Sequence, residues 1–117
     1  MAIIKDFKKY AVLAARTAAD KKAVDPIILD LRHTSDLADY VLIVGAESSA
    51  QMRAIDEAVE HALRDVHVRL LRRDGKPKNR WLVLDYGGFV MHILLPEARD
   101  FYRLENLWEE AKPVKWE

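Results

Sequence analysis

The sequence predicts a small α/β domain, a single unit with a mixed, mostly five-stranded sheet flanked by helices. Three observations predict it. Residues 40–44 are a continuous apolar run, which suits a strand buried on both faces. That run leads through Gly45 into a helical stripe of Met52, Ile55, Val59, Ala62, Leu63 and Val66. A further short strand expected at 68–71 completes a β-α-β unit, expected to cross over right-handedly. Two more apolar runs, 80–86 and 89–95, flank Gly87 and Gly88 and read as a two-residue hairpin.

In chain order, residues 3–22 read as an amphipathic helix with Ile4, Phe7, Ala11, Ala14, Ala15 and Ala18 at helical spacing. Pro26 ends any continuation, and 27–31 is a short strand. Thr34, Ser35 and Asp36 place a turn at 32–38, because their side chains bond to nearby backbone. Ser48 and Gln51 have capping-box spacing, so the second helix starts there. Residues 73–79, RDGKPKN, are a loop by their Gly, Pro and Asn content. Pro96 breaks the last strand, and EARDFYRLENLW makes one helix or two short ones. The tail at 112–117 is expected to be loosely ordered.

Composition narrows the function classes. Half of the 117 residues are hydrophobic, enough for one core, so all of 1–117 is read as one domain. Nineteen basic residues balance nineteen acidic ones, which argues against a chain living mainly on DNA or on an acidic membrane. There is no cysteine, so disulfides and thiolate metal sites are excluded. The N-terminal stretch has no apolar run long enough for a signal peptide, and nothing approaches a membrane span. A cytoplasmic location is the expectation.

The hairpin register sorts the unusual side chains. Tyr86 faces Phe89, Val83 faces His92, and Trp81 faces Leu94. Alternation then puts Leu82, Leu84, Tyr86, Phe89, Met91 and Ile93 on one face, the natural core. Trp81, Val83, Asp85, Val90, His92 and Leu94 share the other. Trp81, at a strand start beside a polar loop, is expected away from the centre of the core. Asp85 and His92 are diagonal neighbours. They read as a general base with its orienting carboxylate, as a satisfied polar pair at a core margin, or as part of a docking surface where tryptophan and tyrosine serve as anchors.

Other constellations carry less. Gly45 before Ser48 and Ser49 resembles an anion-binding turn, but no Lys-Ser/Thr pair or G-x-G-x-x-G is present and Glu47 is acidic. An ordinary helix cap explains it. Asp85 stands alone, without the second carboxylate of a two-metal site. His33, His61, His67 and His92 lack metal-ligand spacing. Neither metal nor cofactor is therefore expected. Residues 69–80 hold six basic residues and one acidic one, so Arg72, Arg73 and Lys76 are candidate RNA contacts, with a solvated loop as the competing reading.

Several segments together carry a resemblance. They are Ala38-Asp39-Tyr40, Trp81 followed by Leu84-Asp85-Tyr86-Gly87, Val90 with His92-Ile93, Phe101-Tyr102, Leu104-Glu105 and Leu107-Trp108. In this order and spacing, from about residue 7 to 108, the chain resembles the ribosomal silencing factor, or Iojap-like, family. The resemblance implies a nucleotidyltransferase-like fold without enzymatic activity. It implies binding to a large-subunit ribosomal protein at the face where the small subunit docks, blocking subunit joining and lowering translation when nutrients are short. Trp81, Leu82, Asp85, Tyr86 and His92 would be the partner-binding residues, ribosomal RNA contacts would be minor, and a homodimer is a further implication. Two departures stand out. The family's Gly-Thr-Ser turn is here Ala46-Glu47-Ser48, with glycine one place earlier, and Gly88 replaces a commonly acidic residue. The alternatives are a nucleotidyltransferase-type enzyme and a small RNA-binding module using the basic loop 69–80.

Overall fold

A computed structural model describes residues 6–34, 36, 38–75 and 80–117. Its sheet is mixed and has six strands: β1 (Val24–Asp30), β2 (Tyr40–Gly45), β3 (Arg72–Asp74), β4 (Trp81–Asp85), β5 (Phe89–Leu94) and β6 (Lys112–Val114). Their order across the sheet is β3-β4-β5-β2-β1-β6. β2 and β5 pair in parallel at the centre, and the other neighbours are antiparallel. The helices are α1 (Lys8–Asp20), α2 (Ser49–Asp65) and α3 (Pro96–Tyr102), and a 3₁₀ segment follows at Leu104–Trp108.

α1 and α2 cover one face of the sheet. Ala11, Ala14, Ala15 and Ala18 are wholly buried and belong to one cluster with Leu42, Val44, Met52, Ile55, Leu84, Phe89 and Met91. Small residues on the contact stripe of α1 let it lie close to its neighbours. Ser48 caps α2 by accepting from the Gln51 N–H at 3.0 Å. The Gln51 carbonyl oxygen accepts from Glu47 N–H at 2.6 Å, one residue before the cap, while its amide donates to the Lys21 and Lys22 carbonyls. This one side chain therefore ties the start of α2 to the end of α1.

On the other face, α3 and the 3₁₀ segment cover only part of the sheet. Ala98 and Leu104 pack with Leu29, Leu31, Val41, Ile43 and Leu94, and Trp81 and Trp108 lie against this second cluster. The β4 end of that face is left open.

The structure corrects the sequence reading at several elements. α1 starts at Lys8; residues 3–5 lie outside the described residues. The strand expected at 68–71 falls at Arg72–Asp74 instead. Val68 packs into the helix-side core before the ladder begins, and Leu71 is exposed. β3 runs parallel to β2 but with β4 and β5 between them. Pro26 does not precede β1 but sits inside it, at a register shift between Val24 and Ile27. A proline has no N–H to give the ladder and is tolerated at such a break.

Residues 112–117 are not a loose tail. β6 pairs with β1, the Trp116 indole donates to the Pro26 carbonyl at 2.9 Å, and Arg16 donates to the Trp116 carbonyl at 2.8 Å. The hairpin register is as read, with Trp81 opposite Leu94 and Val83 opposite His92. Only Gly87 has a positive φ, however, +92°. That is the φ pattern of a II′ turn rather than I′. Gly88 is needed for a different reason: the Phe7 ring lies over it, and a Cβ there would overlap the ring.

Candidate functional site

The open face of β3, β4 and β5 holds a groove of about 450 Å³. Trp81, Val83, Val90 and His92 line its floor, Arg72, Asp74 and Asp85 stand at the β3 side, and Leu104, Leu107 and Trp108 form the opposite wall. Alternation dictates this set. Positions 81, 83 and 85 on β4 and 90 and 92 on β5 point away from α1 and α2, and α3 reaches only the Trp81 end, through Tyr102.

Trp81 is held on three sides. Its indole N–H donates to His92 Nδ1 at 3.0 Å. The Tyr102 ring lies with its centroid 4.7 Å away, and the His92 ring 5.9 Å away. On the backbone side, Gly75, at φ +85°, packs directly on the Trp81 carbonyl, where a Cβ would collide. Trp81 is thus a half-buried, oriented ring rather than a free surface anchor.

The Asp85–His92 pair is not formed. Asp85 Oδ1 instead accepts from the Gly87 N–H at 2.8 Å, bracing the hairpin turn. His92 Nδ1 is taken by Trp81, a group that only donates. The imidazole therefore carries its proton on Nε2, and burial pushes its pKa down to about 4. A general base oriented by a carboxylate is not what this geometry builds.

Leu82 and Tyr86 belong elsewhere. Both are buried in the helix-side cluster and offer the groove no surface. Tyr86 stacks on Phe89 at a centroid distance of 4.9 Å, and its hydroxyl is buried without a partner. Burial raises its pKa, with Asp56 and Glu60 adding to the effect.

The basic candidates separate as well. Arg72 is on the groove side, paired with Asp74 at 3.2 Å, both well exposed. Arg73 points the other way and is engaged by Asp56 and Glu60 of α2. Lys76 lies outside the described residues.

Sequence reading missed the groove's far wall. Leu107 lines it, Tyr102 packs on Trp81, and Phe101 packs edge-on against Tyr102; the three are 69%, 52% and 80% exposed. The signal was present in the C-terminal stretch, which has more apolar groups than two short helical turns can bury.

Comparisons with known proteins agree on a lineage. The family described as "Ribosomal silencing factor during starvation" matches residues 4–117. A ribosomal silencing factor of Bacillus subtilis is 32% identical over 104 residues, 89% of this chain and 88% of that protein. The chloroplastic protein Iojap of Zea mays is 34% identical over 106 residues, 91% of this chain and 46% of that one. A crystal structure of a Chromobacterium violaceum protein superposes with a TM-score of 0.84 at 28% identity, covering 93% of this chain and 91% of that chain.

Proposed function

The chain belongs to the ribosomal silencing factor family, and on that premise we propose that it is a cytoplasmic translational repressor. It docks through the groove on a protein of the large ribosomal subunit, at the face where the small subunit binds, and blocks subunit joining when nutrients are short. The observation that carries this reading is the apolar groove with Tyr102 and Leu107 exposed at its edge. Exposed aromatic and aliphatic groups clustered around a concave, uncovered sheet face mark a protein-binding surface.

The family premise supplies the ribosome, and the groove supplies the means of attachment. Trp81 and His92 form the floor of the contact, Asp85 holds the turn beside it, and Arg72 adds a minor contact to ribosomal RNA at the rim. No catalytic step is assigned, because Asp85 does not orient His92.

Sedimentation with purified ribosomal particles tests the reading. The protein should travel with free large subunits and not with joined ribosomes. Equal association with both would remove the steric mechanism. Magnesium-dependent nucleotide turnover abolished by Asp85→Asn would replace repression with enzymatic activity.

A further inference from the structure

We propose that His92 is a specificity-determining contact of the docking groove, presenting Nε2–H as a neutral hydrogen-bond donor to a carbonyl oxygen of the protein partner. The inference rests on the docking reading above and deepens it.

The geometry begins with Trp81. An indole nitrogen has one hydrogen and no acceptor capacity, so the 3.0 Å contact to Nδ1 requires a lone pair on that atom. A neutral imidazole with Nδ1 unprotonated must carry hydrogen on Nε2. His92 lines the groove, and among the described residues no group accepts from its Nε2. Among the described residues, the buried side-chain polar atoms without a partner are Tyr86 Oη and Glu105 Oε2; Nε2 is not among them, and His92 opens to the groove it lines. The result is one directed donor on a floor otherwise made of Trp81, Val83 and Val90.

The surroundings choose the acceptor. Val83 and Ile43 flank His92 on the neighbouring strands, Asp85 is its diagonal neighbour, and Arg72 and Asp74 stand at the rim as a pair. Asp85 is a carboxylate with no cationic partner among the described residues. It disfavours a second carboxylate entering the same groove. A charged acceptor would also lose hydration against the apolar walls. A neutral carbonyl, from backbone or a side-chain amide, meets neither obstacle. Burial favours the neutral ring as well, so the donor persists at neutral pH.

Two substitutions divide the two ring nitrogens. His92→Asn places an acceptor near Nδ1 and removes the groove donor. His92→Gln places an amide near Nε2 and loses the acceptor for Trp81. Binding of each folded variant to free large subunits is compared with that of the unmodified protein at low and high salt. His92→Asn should bind about tenfold more weakly, the loss expected when a buried acceptor is left unpaired. His92→Gln should recover part of that loss, and salt should not change the difference. Nitrogen NMR of the unmodified protein should find Nε2 protonated and Nδ1 bare.

His92→Asn binding as tightly as the unmodified protein would overturn the contact while leaving docking intact. A ring protonated on Nδ1, or a loss that vanishes in high salt, would overturn the neutral-donor assignment. An unmodified chain that does not bind large subunits at all would overturn the docking reading itself, and the contact with it.

Discussion

Arg73 and Asp56 are joined by two hydrogen bonds of 3.0 Å, from Nε to Oδ2 and from Nη2 to Oδ1. Glu60 accepts a third at 2.7 Å. The edge strand β3 is thereby fastened to α2 across the sheet margin. A planar guanidinium matched to a carboxylate in this way fixes direction as well as distance.

Arg73→Ala should therefore lower stability by about 1–2 kcal/mol, because Asp56 is buried and loses its partner. Arg72→Ala, which breaks an exposed ion pair with Asp74, should change it by less than about 0.5 kcal/mol. Urea midpoints of the two variants check the contrast. Equal effects would mean that the Asp56 link does not hold the strand.

Leu107→Asp tests the groove without touching the core. Its side chain is exposed, so the urea midpoint should stay within about 0.5 kcal/mol of the unmodified protein. Binding to large subunits should fall by about 2 kcal/mol, since a charge would be forced into an apolar contact. Unaltered binding would move the partner to another surface.

Trp81→Ala should affect both properties. The ring is packed against Tyr102 and His92, so folding should lose about 2–3 kcal/mol, somewhat less than for a fully buried tryptophan. Trp81→Phe keeps the packing and removes the donor to His92. Its stability should lie between the other two, and its binding should fall because the histidine tautomer is no longer imposed. Denaturant titration paired with subunit binding separates these outcomes.

Acid titration reports on His92. Burial lowers its pKa from the ordinary 6.5 to about 4, so the unfolded chain takes up the proton first as pH falls. Stability from this group is complete above about pH 6.5 and drains away progressively down to about pH 4. The total amounts to about 3 kcal/mol. Urea midpoints between pH 7 and 4.5 should slope downward, and His92→Asn should flatten that slope. An unchanged slope would assign the effect to carboxylates.

Trp116→Ala removes the indole bond to Pro26 and the packing over β1. A loss of about 2 kcal/mol is expected, from a partly buried ring plus one hydrogen bond. A loosely held segment would show none.

Much of this architecture was legible in the sequence because its signals were periodic and local. The run at 40–44, the stripe from Met52 to Leu63 and the alternation through the glycine turn each have a period that belongs to one kind of element. Trp81 and His92 were placed on one face by alternation alone. What stayed hidden was set by partners distant in sequence. β6 exists because β1 offers an open edge, and three residues carry no period of their own. The register puts Asp85 within reach of His92, yet the adjacent Gly87 N–H takes its oxygen first. Arg73 was one more arginine in a basic loop until β3 turned it toward Asp56, in the helix just before it along the chain.

The parallel pairing of β2 with β5 divides the sheet into two antiparallel halves, each begun by a hairpin-like neighbour pair. Leu42, Ile43 and Val44 meet Met91, His92 and Ile93 there, under helices on one face and beside the groove on the other. Neither half can close the molecule alone. Amide hydrogens along that seam should exchange with solvent only when the whole chain opens, while those of β3 and β6 are released by fraying of the margins. The proposed docking surface thus straddles a gradient, rigid along its His92 side and looser toward Arg72. The slow-exchanging side keeps its shape before any partner arrives.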